Sequence, residues 1–512
     1  MPPAFARNTF LGLISGAAVS LAGLVGGAVA ARLLGSEGMG VIAYTVWCVT
    51  VATTVAGLGI GMVLQRFIPN LRAEGKHDEA EGMVGATTRL SVLAAIVGAL
   101  LLFCWLYWPG SSAVNASSRT SPLALILLVL AWFICWRLAD VYLNYLKGEQ
   151  RFGEFATLTT LSALIRVVVI ALGAWLFGVA GALAGYLAGY VVPATRFRRL
   201  LRKKPTLDQE LRRRVVSFAL KGWAVAVISG LVFGRTEIVF LEHYAGIGVV
   251  GLFAVAATLT EVVVQLPGLL LSALLPYFSE QHGLGARDRM LRLYRTMTGL
   301  LALAVVPLCI GMASIAPLLV PLLFGVQFAG AAPAAAALLI AAAVSSSGAA
   351  AAYLISSTGK NGILLISNAL GLVGTVALGF LLIPRFGLMG AAWSRVIVQV
   401  SVVAIEIWYA TRRLGFAPPY RALGGITLAA VIQGVVAHVI TTTFGGILSL
   451  VAAILAAVLV FLIALRSFAV IPMLDPFLID DLATHAPGWM RRGPIWVLKL
   501  VSRSPKDRSA PE

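Results

Sequence analysis

What most constrains this chain is a succession of apolar stretches, each about as long as a bilayer is thick. A membrane-crossing helix needs about 20 mostly apolar residues. Fourteen such stretches can be marked, at roughly 8–33, 41–68, 86–108, 122–146, 155–177, 180–200, 217–241, 248–276, 296–318, 330–357, 361–384, 388–411, 421–442 and 446–466. Two of the cuts fall inside unbroken apolar sequence, at the Gly-rich reversals Gly178–Gly181 and Gly387–Gly390. Soluble domains carry about 45–50% apolar and about 25% charged residues; this chain has 60% and 12%, with a mean hydropathy of +0.94. That balance excludes a disordered chain, a secreted disulfide scaffold and a cytosolic enzyme, and it predicts an all-α polytopic membrane protein. The first run, Met1 to Ala31, has one early Arg7 and far exceeds the about 7–15-residue core of a secretory signal, so it reads as a span that is kept.

Alternate loops differ sharply in Lys and Arg. The side holding both termini carries 32 of the 39, ten of them between Arg196 and Lys221; the opposite loops carry three, Arg32, Arg119 and Arg385. This asymmetry predicts cytoplasmic termini. It also explains the formal charge of +18 as loops held against an anionic leaflet, so membrane lipid, not nucleic acid, is the expected partner of the basic surface. Cys48, Cys104, Cys135 and Cys309 lie inside apolar runs without metal-ligand spacing and read as reduced packing residues. The sequence has no Walker A loop, HExxH or GxSxG, and predicts no cofactor, no metal and no covalent catalysis.

The most basic stretch, RFRRLLRKKPTLDQELRRR from Arg196 to Arg214, follows the sixth span and reads as a linker between repeats. GMGVIAYTV from Gly38 and GVVGLFAVA from Gly248 head spans two and eight, aligning Gly40 with Gly251 and Phe67 with Phe278 at a shift of 211. Tyr142-Leu143 before Gly148 matches Tyr353-Leu354 before Gly359 at the same shift, and GVAGA from Gly178 matches GLMGA from Gly387 at 209. Spans one to six thus recur as seven to twelve. Six is even, so both copies share one orientation, with a pseudo-twofold along the membrane normal. The expected organisation is an N-lobe at 1–200, a cytoplasmic linker at 201–216, a C-lobe at 217–414, two further spans at 415–467 and an amphipathic basic tail at 468–512.

ARLLGSEGMGVIAY after span one, the RFIPNLRAEG exit from span two, the paired GxxGA reversals and the tail FLIDDLATHAPGWMRRGPIWVLKLVSR together resemble the polysaccharide-transporter family. Its members are the O-antigen and exopolysaccharide flippases of the multidrug/oligosaccharidyl-lipid/polysaccharide superfamily. The resemblance covers nearly the whole chain. It implies two six-helix lobes around a central cavity, with alternating access carrying a polyprenyl-diphosphate-linked oligosaccharide from the cytoplasmic to the outer leaflet of a bacterial inner membrane. A polysaccharide polymerase or glycosyltransferases are the further partners it implies. Three rivals stay open: a lipid II flippase, a drug/cation antiporter, and a non-transporting subunit that recruits such enzymes through its tail.

Polar groups inside spans are costly there, which makes them the functional candidates. Arg166 lies mid-span in LSALIRVVVIAL, where a cation costs at least ~2.5–3.5 kcal/mol on insertion scales. A guanidinium forks onto phosphate oxygens and stays charged, which suits a diphosphate; a pair with a neighbouring carboxylate is the alternative. Arg235 in GLVFGRTEIVF is a second phosphate candidate. The family resemblance implies that Arg66 at the end of span two, like Arg32 at the end of span one, guides the lipid headgroup; anchoring at the membrane boundary is the plainer role of each. Glu237, two residues after Arg235, belongs to another face of a continuous helix. Arg137 and Asp140 are three apart on one face and read as a structural ion pair, with Asp140 also a candidate for ion coupling. Glu261 in FAVAATLTEVVVQLPG has no basic neighbour in sequence and is the sharper coupling candidate, with Pro267 beyond it as a hinge. Arg395 and Glu406 read as interfacial anchors, and Trp132, Trp136 and His438 as packing residues. Tyr44, Trp47, Asn144, Tyr145, Gln265, Tyr353, Asn368 and Gln399 form an unsorted set of sugar-contact candidates.

Overall fold

The computed structural model describes residues 3–107, 121–271, 278, 281–282 and 284–468. The expected tail beyond Phe468, Arg119, and the side chains of Gln265 and Pro267 lie outside the described residues. Within them all regular structure is helical: α1 (Pro3–Val55), α2 (Ile60–Ala73), α3 (His77–Tyr107), α4 (Pro122–Gly148), α5 (Phe152–Arg196), α6 (Arg198–Leu201), α7 (Gln209–Phe233), α8 (Glu237–Ala245), α9 (Ile247–Leu271), α10 (Arg287–Phe324), α11 (Ala332–Ser357), α12 (Asn361–Arg412), α13 (Tyr420–Phe444) and α14 (Gly446–Ser467), with a 3₁₀ turn at Val326–Ala331. Ten helical stretches among the described residues are long and apolar enough to cross a membrane.

Length dictates where the longest of them must turn. α5 has 45 residues and would run roughly 68 Å if straight, about twice the hydrocarbon thickness. It breaks at Gly178, whose φ of 63° is easily reached only without a Cβ. The two arms then pack back to back: Gly181 meets Gly173, Gly185 meets Ile170, and Gly189 meets the Arg166 stem. α12, with 52 residues, breaks in the same way at Gly387 (φ 51°), and Gly390 packs on the backbone of Leu382 and Ile383. Both breaks fall at the expected reversals. α1 breaks at Gly35 (φ 70°), and the joint between α8 and α9 is Gly246 (φ 86°), at the same shift of 211 seen in the sequence repeat. A Cβ at Gly181 would lie 1.9 Å from the Gly173 carbonyl oxygen. Gly181→Val is therefore expected to destabilise the protein by at least about 1–3 kcal/mol through overpacking, read as a fall in the thermal unfolding midpoint in detergent.

Two spans expected to be continuous are interrupted. Span two ends as α1 at Val55 and resumes as α2 at Ile60, with Leu58 and Gly59 at φ 48° and 71°. Span seven ends as α7 at Phe233 and resumes as α8 at Glu237, with Arg235 at φ 61°. Neither interruption contains a proline or a charge run that hydropathy would register.

The chain divides into two compact units. The first comprises the chain to Thr258 with Leu323–Gly330 and Leu372–Ser394; the second comprises Leu259–Leu322, Ala331–Gly371 and the chain from Arg395. In the first, Ile60, Leu64 and Phe67 of α2 join Tyr142 and Leu146 of α4, Leu158 of α5 and Leu200 of α6 in one core. The basic stretch after α6 lies folded along α3, where Gly82 and Gly85 make room: a Cβ at Gly82 would lie 2.1 Å from the Thr206 carbonyl oxygen. Lys203 there reaches Glu81 at 3.5 Å. In the second unit, Ala302, Val305 and Cys309 of α10 pack with Ile426, Ala429 and Ala430 of α13 and Phe461 of α14. His438, exposed on α13, places Nδ1 3.1 Å from the Ser314 carbonyl.

Candidate functional site: a cationic cavity in the first unit

α4 starts cleanly because Ser121 accepts from the Ala124 N–H at 3.3 Å and Pro122 occupies its first turn, where a missing N–H does no harm. From there Trp136, Asp140, Asn144 and Lys147 recur every three or four residues, which puts them on one face. That face, the two arms of α5 and Val19 of α1 enclose a cavity of about 240 Å³. The first arm of α5 contributes Ser162 and Arg166, and the second contributes Tyr190. Trp136 stacks on Tyr190 at 5.1 Å between centroids and on Trp132 at 5.9 Å, so this tryptophan both packs and lines the site.

The charges of the cavity are unequal. Arg137 Nη1 donates to Asp140 Oδ2 at 2.8 Å, and the Asn144 amide donates to Asp140 Oδ1 at 2.9 Å. Arg137 lies behind the wall, 1% exposed, while the Asp140 side chain is 38% exposed. The one carboxylate of the lining is thus already paired. Arg166 donates weakly to the Val19 carbonyl at 3.5 Å and rests 6.0 Å from the Tyr186 ring; Lys147 lies over the Phe155 ring at 4.7 Å. Neither forms an ion pair among the described residues. The Ser162 hydroxyl is buried there without a hydrogen-bond partner among the described residues. Two cations, aromatic faces and an available hydroxyl make a site for an anion, held by charge-assisted hydrogen bonds.

Of the residues singled out in the sequence, the structure brings Arg166 and Asp140 to this cavity, with Arg137 behind Asp140 and Asn144 beside it. Arg66 does not line it; it is exposed on α2 and stacks 4.4 Å over Phe218 of α7. Arg235 does not line it either. It occupies a left-handed position between two helices, so the helical-face argument separating it from the buried Glu237 does not apply. Glu261 is exposed on α9, in the second unit. Glu406, read as an interfacial anchor, is instead 6% exposed and accepts from the Ser367 hydroxyl at 3.4 Å. Arg32 donates to the Leu323 carbonyl at 3.0 Å, a structural tie. Sequence reasoning missed Lys147 by counting it as a loop charge; extending the Asp140 face by two helical turns would have found it.

The fold is that of multi-pass transporters of the multidrug/oligosaccharidyl-lipid/polysaccharide superfamily. The lipid II flippase MurJ in an inward-closed conformation matches with a TM-score of 0.73 over 90% of this chain and 98% of its own, at 12% identity. An inward-facing multidrug resistance MATE family transporter matches with a TM-score of 0.64 over 78% and 94%, at 18% identity. These matched structures are a flippase and a transporter, not enzymes. The uncharacterized membrane protein MJ1068 of Methanocaldococcus jannaschii is 22% identical over 376 residues, covering 70% of this chain and 74% of its own. Residues 5–282 match the polysaccharide biosynthesis protein family, and the chain belongs to that family.

Proposed function

We propose that this chain is a flippase that moves a polyprenyl-diphosphate-linked oligosaccharide from the cytoplasmic to the outer leaflet of a bacterial inner membrane by alternating access. The observation that carries this reading is the charge balance of the cavity, where Arg166 and Lys147 stand beside a carboxylate that Arg137 already holds. A guanidinium grips two phosphate oxygens at once and an ammonium adds a point charge, so a diphosphate is bound and an organic cation is disfavoured. Family membership supplies the polysaccharide context. With α1, α5 and α12 each taken as two passes and α7 with α8 as one, the helix order supports fourteen crossings and lobes at 1–200 and 217–414, and the Lys and Arg asymmetry of the loops supports cytoplasmic termini. Arg66 and Arg235 then lie outside the cavity as contacts along the path, and Asp140 and Glu261 are the places for coupling to an ion gradient. The MurJ-like fold favours lipid II as a second substrate reading.

Proteoliposomes loaded with a labelled polyprenyl-diphosphate oligosaccharide, with lipid II as competitor, separate these readings. The expected result is outward movement of the oligosaccharide lipid, slowed about tenfold or more by Lys147→Ala, because a hydrogen bond to a charged group is worth about 1.5–3 kcal/mol. Preference for lipid II would replace the substrate. Export of organic cations without movement of either lipid would overturn the flippase. Polysaccharide assembly that survives loss of both Arg166 and Lys147 would point to the recruiting subunit.

A further inference from the structure

The cut in span two is held by side chains of its neighbours. Between α1 and α2 the chain leaves helical geometry at 56–59, with Leu58 in the left-handed region, at a cost of about 1–2 kcal/mol for a residue with a Cβ. In a membrane every backbone group freed this way needs a partner. From α7, Trp223 Nε1 donates to the Val55 carbonyl at 2.8 Å; from α4, Arg137 Nη2 donates at 3.3 Å to the Gly57 carbonyl, which also accepts from the Ile60 N–H at 3.0 Å. Two glycines permit the approach: a Cβ at Gly59 would lie 2.4 Å from the Ala219 carbonyl oxygen, and one at Gly61 would lie 2.9 Å from the Asn144 amide nitrogen.

The hold from α4 is one end of a longer chain of bonds. Arg137 is fixed by Asp140 Oδ2, Asp140 Oδ1 accepts from Asn144, and Asn144 Oδ1 accepts from Gln65 Nε2 at 2.8 Å. Gln65 belongs to α2, so the series leaves the interruption at Gly57, runs along α4 and returns to the same span beyond the cut. Its two middle members, Asp140 and Asn144, line the cavity.

We propose that this relay makes the interruption of span two a hinge whose setting follows the occupancy of the anion cavity, with Arg137 and Gln65 as positioning residues. The proposal rests on the anion reading given above. A diphosphate drawn in by Arg166 and Lys147 brings negative charge next to Asp140, and like charges repel. Asp140 is the member free to respond, since it is partly exposed while Arg137 is enclosed. When the carboxylate turns, Arg137 loses its charged partner and the bonds to Gly57 and Gln65 must rearrange together. Linkage makes the effect reciprocal: whatever resets the hinge changes anion affinity by the same factor.

The test places nitroxide labels at Glu37 on α1 and Asn70 on α2, both exposed and on opposite sides of the cut. Their separation is measured in lipid nanodiscs with geranylgeranyl diphosphate, and with geranylgeraniol as the uncharged control. A separate isotherm, with Arg166→Ala as its blank, reads binding. The diphosphate is expected to shift the distance distribution and the alcohol to leave it unmoved. Gln65→Met should still bind the diphosphate yet lose most of the shift; Arg137→Met, which leaves Asp140 without its cation, should bind it more weakly and, at saturating diphosphate, also lose the shift. Trp223→Phe, which removes the hold outside the relay, should keep it. A shift retained in the relay variants, or produced equally by the alcohol, overturns the hinge while the cavity stands. Wild type that binds no diphosphate overturns the cavity and the hinge with it. If Arg137→Met does not fold, Gln65→Met decides alone.

Discussion

Arg166→Ala is expected to stop translocation of the diphosphate lipid while leaving the protein as stable as wild type. The two halves of that statement have separate causes. Losing a hydrogen bond to a charged group costs about 1.5–3 kcal/mol, a fall in affinity of about 10–150-fold, and nothing else in the lining offers a guanidinium. Stability holds because Arg166 forms no ion pair among the described residues, so its removal strands no carboxylate. Arg166→Lys keeps the charge without the fork and should fall between the two. Binding isotherms beside thermal unfolding in the same detergent check both halves. A drop in the unfolding midpoint with unchanged binding would make Arg166 a structural cation.

The Arg137–Asp140 pair should behave in the opposite way, and asymmetrically. Asp140→Ala leaves a guanidinium that is 1% exposed without its charged partner, and its Nε has no partner among the described residues even in the intact pair. Breaking a buried pair from one side typically costs about 3–5 kcal/mol. Arg137→Met strands only a carboxylate that is 38% exposed and can draw on water, so it should cost clearly less. The double variant Arg137→Met with Asp140→Leu removes both charges and should recover much of the loss. Unfolding midpoints for the three variants check the order. Equal losses in both single variants would show that burial does not govern this pair.

The long apolar helices and the two reversals at Gly178 and Gly387 were legible because length and apolarity are written residue by residue. A 45-residue apolar run must turn somewhere, and a GVAGA with no Cβ at the corner marks the place. The interruptions were not legible: ATTVAGLGIGM has no charge and no proline, the second has only Arg235 as a charge between its two helices, and hydropathy does not register backbone conformation. The spacing of Gly57, Gly59 and Gly61 was the available signal, and it is intelligible only once Ala219 and Asn144 are known to lie against it. Arg235 illustrates the same gap: assigned to a helix, it had a face; between two helices it has none. The cavity was half legible. Arg166 stood out as a lone cation in a span, whereas Lys147 looked like a loop charge until α4 was seen to extend to Gly148. Glu406 was misplaced because position within a span says nothing of which neighbour covers it.

The docking of residues 203–206 against Gly82 and Gly85 bears on how this chain can be taken apart. The basic stretch looks like the natural place to divide the gene and co-express two halves, or to insert a protease site or an affinity tag. Yet those four residues complete the surface of α3, so a cut before 203 delivers a first fragment with an open furrow and a second that begins with an orphaned strap. A division beyond residue 206 keeps the strap with the helix it covers, and the same reasoning makes this loop intolerant of changes in length despite its polar composition.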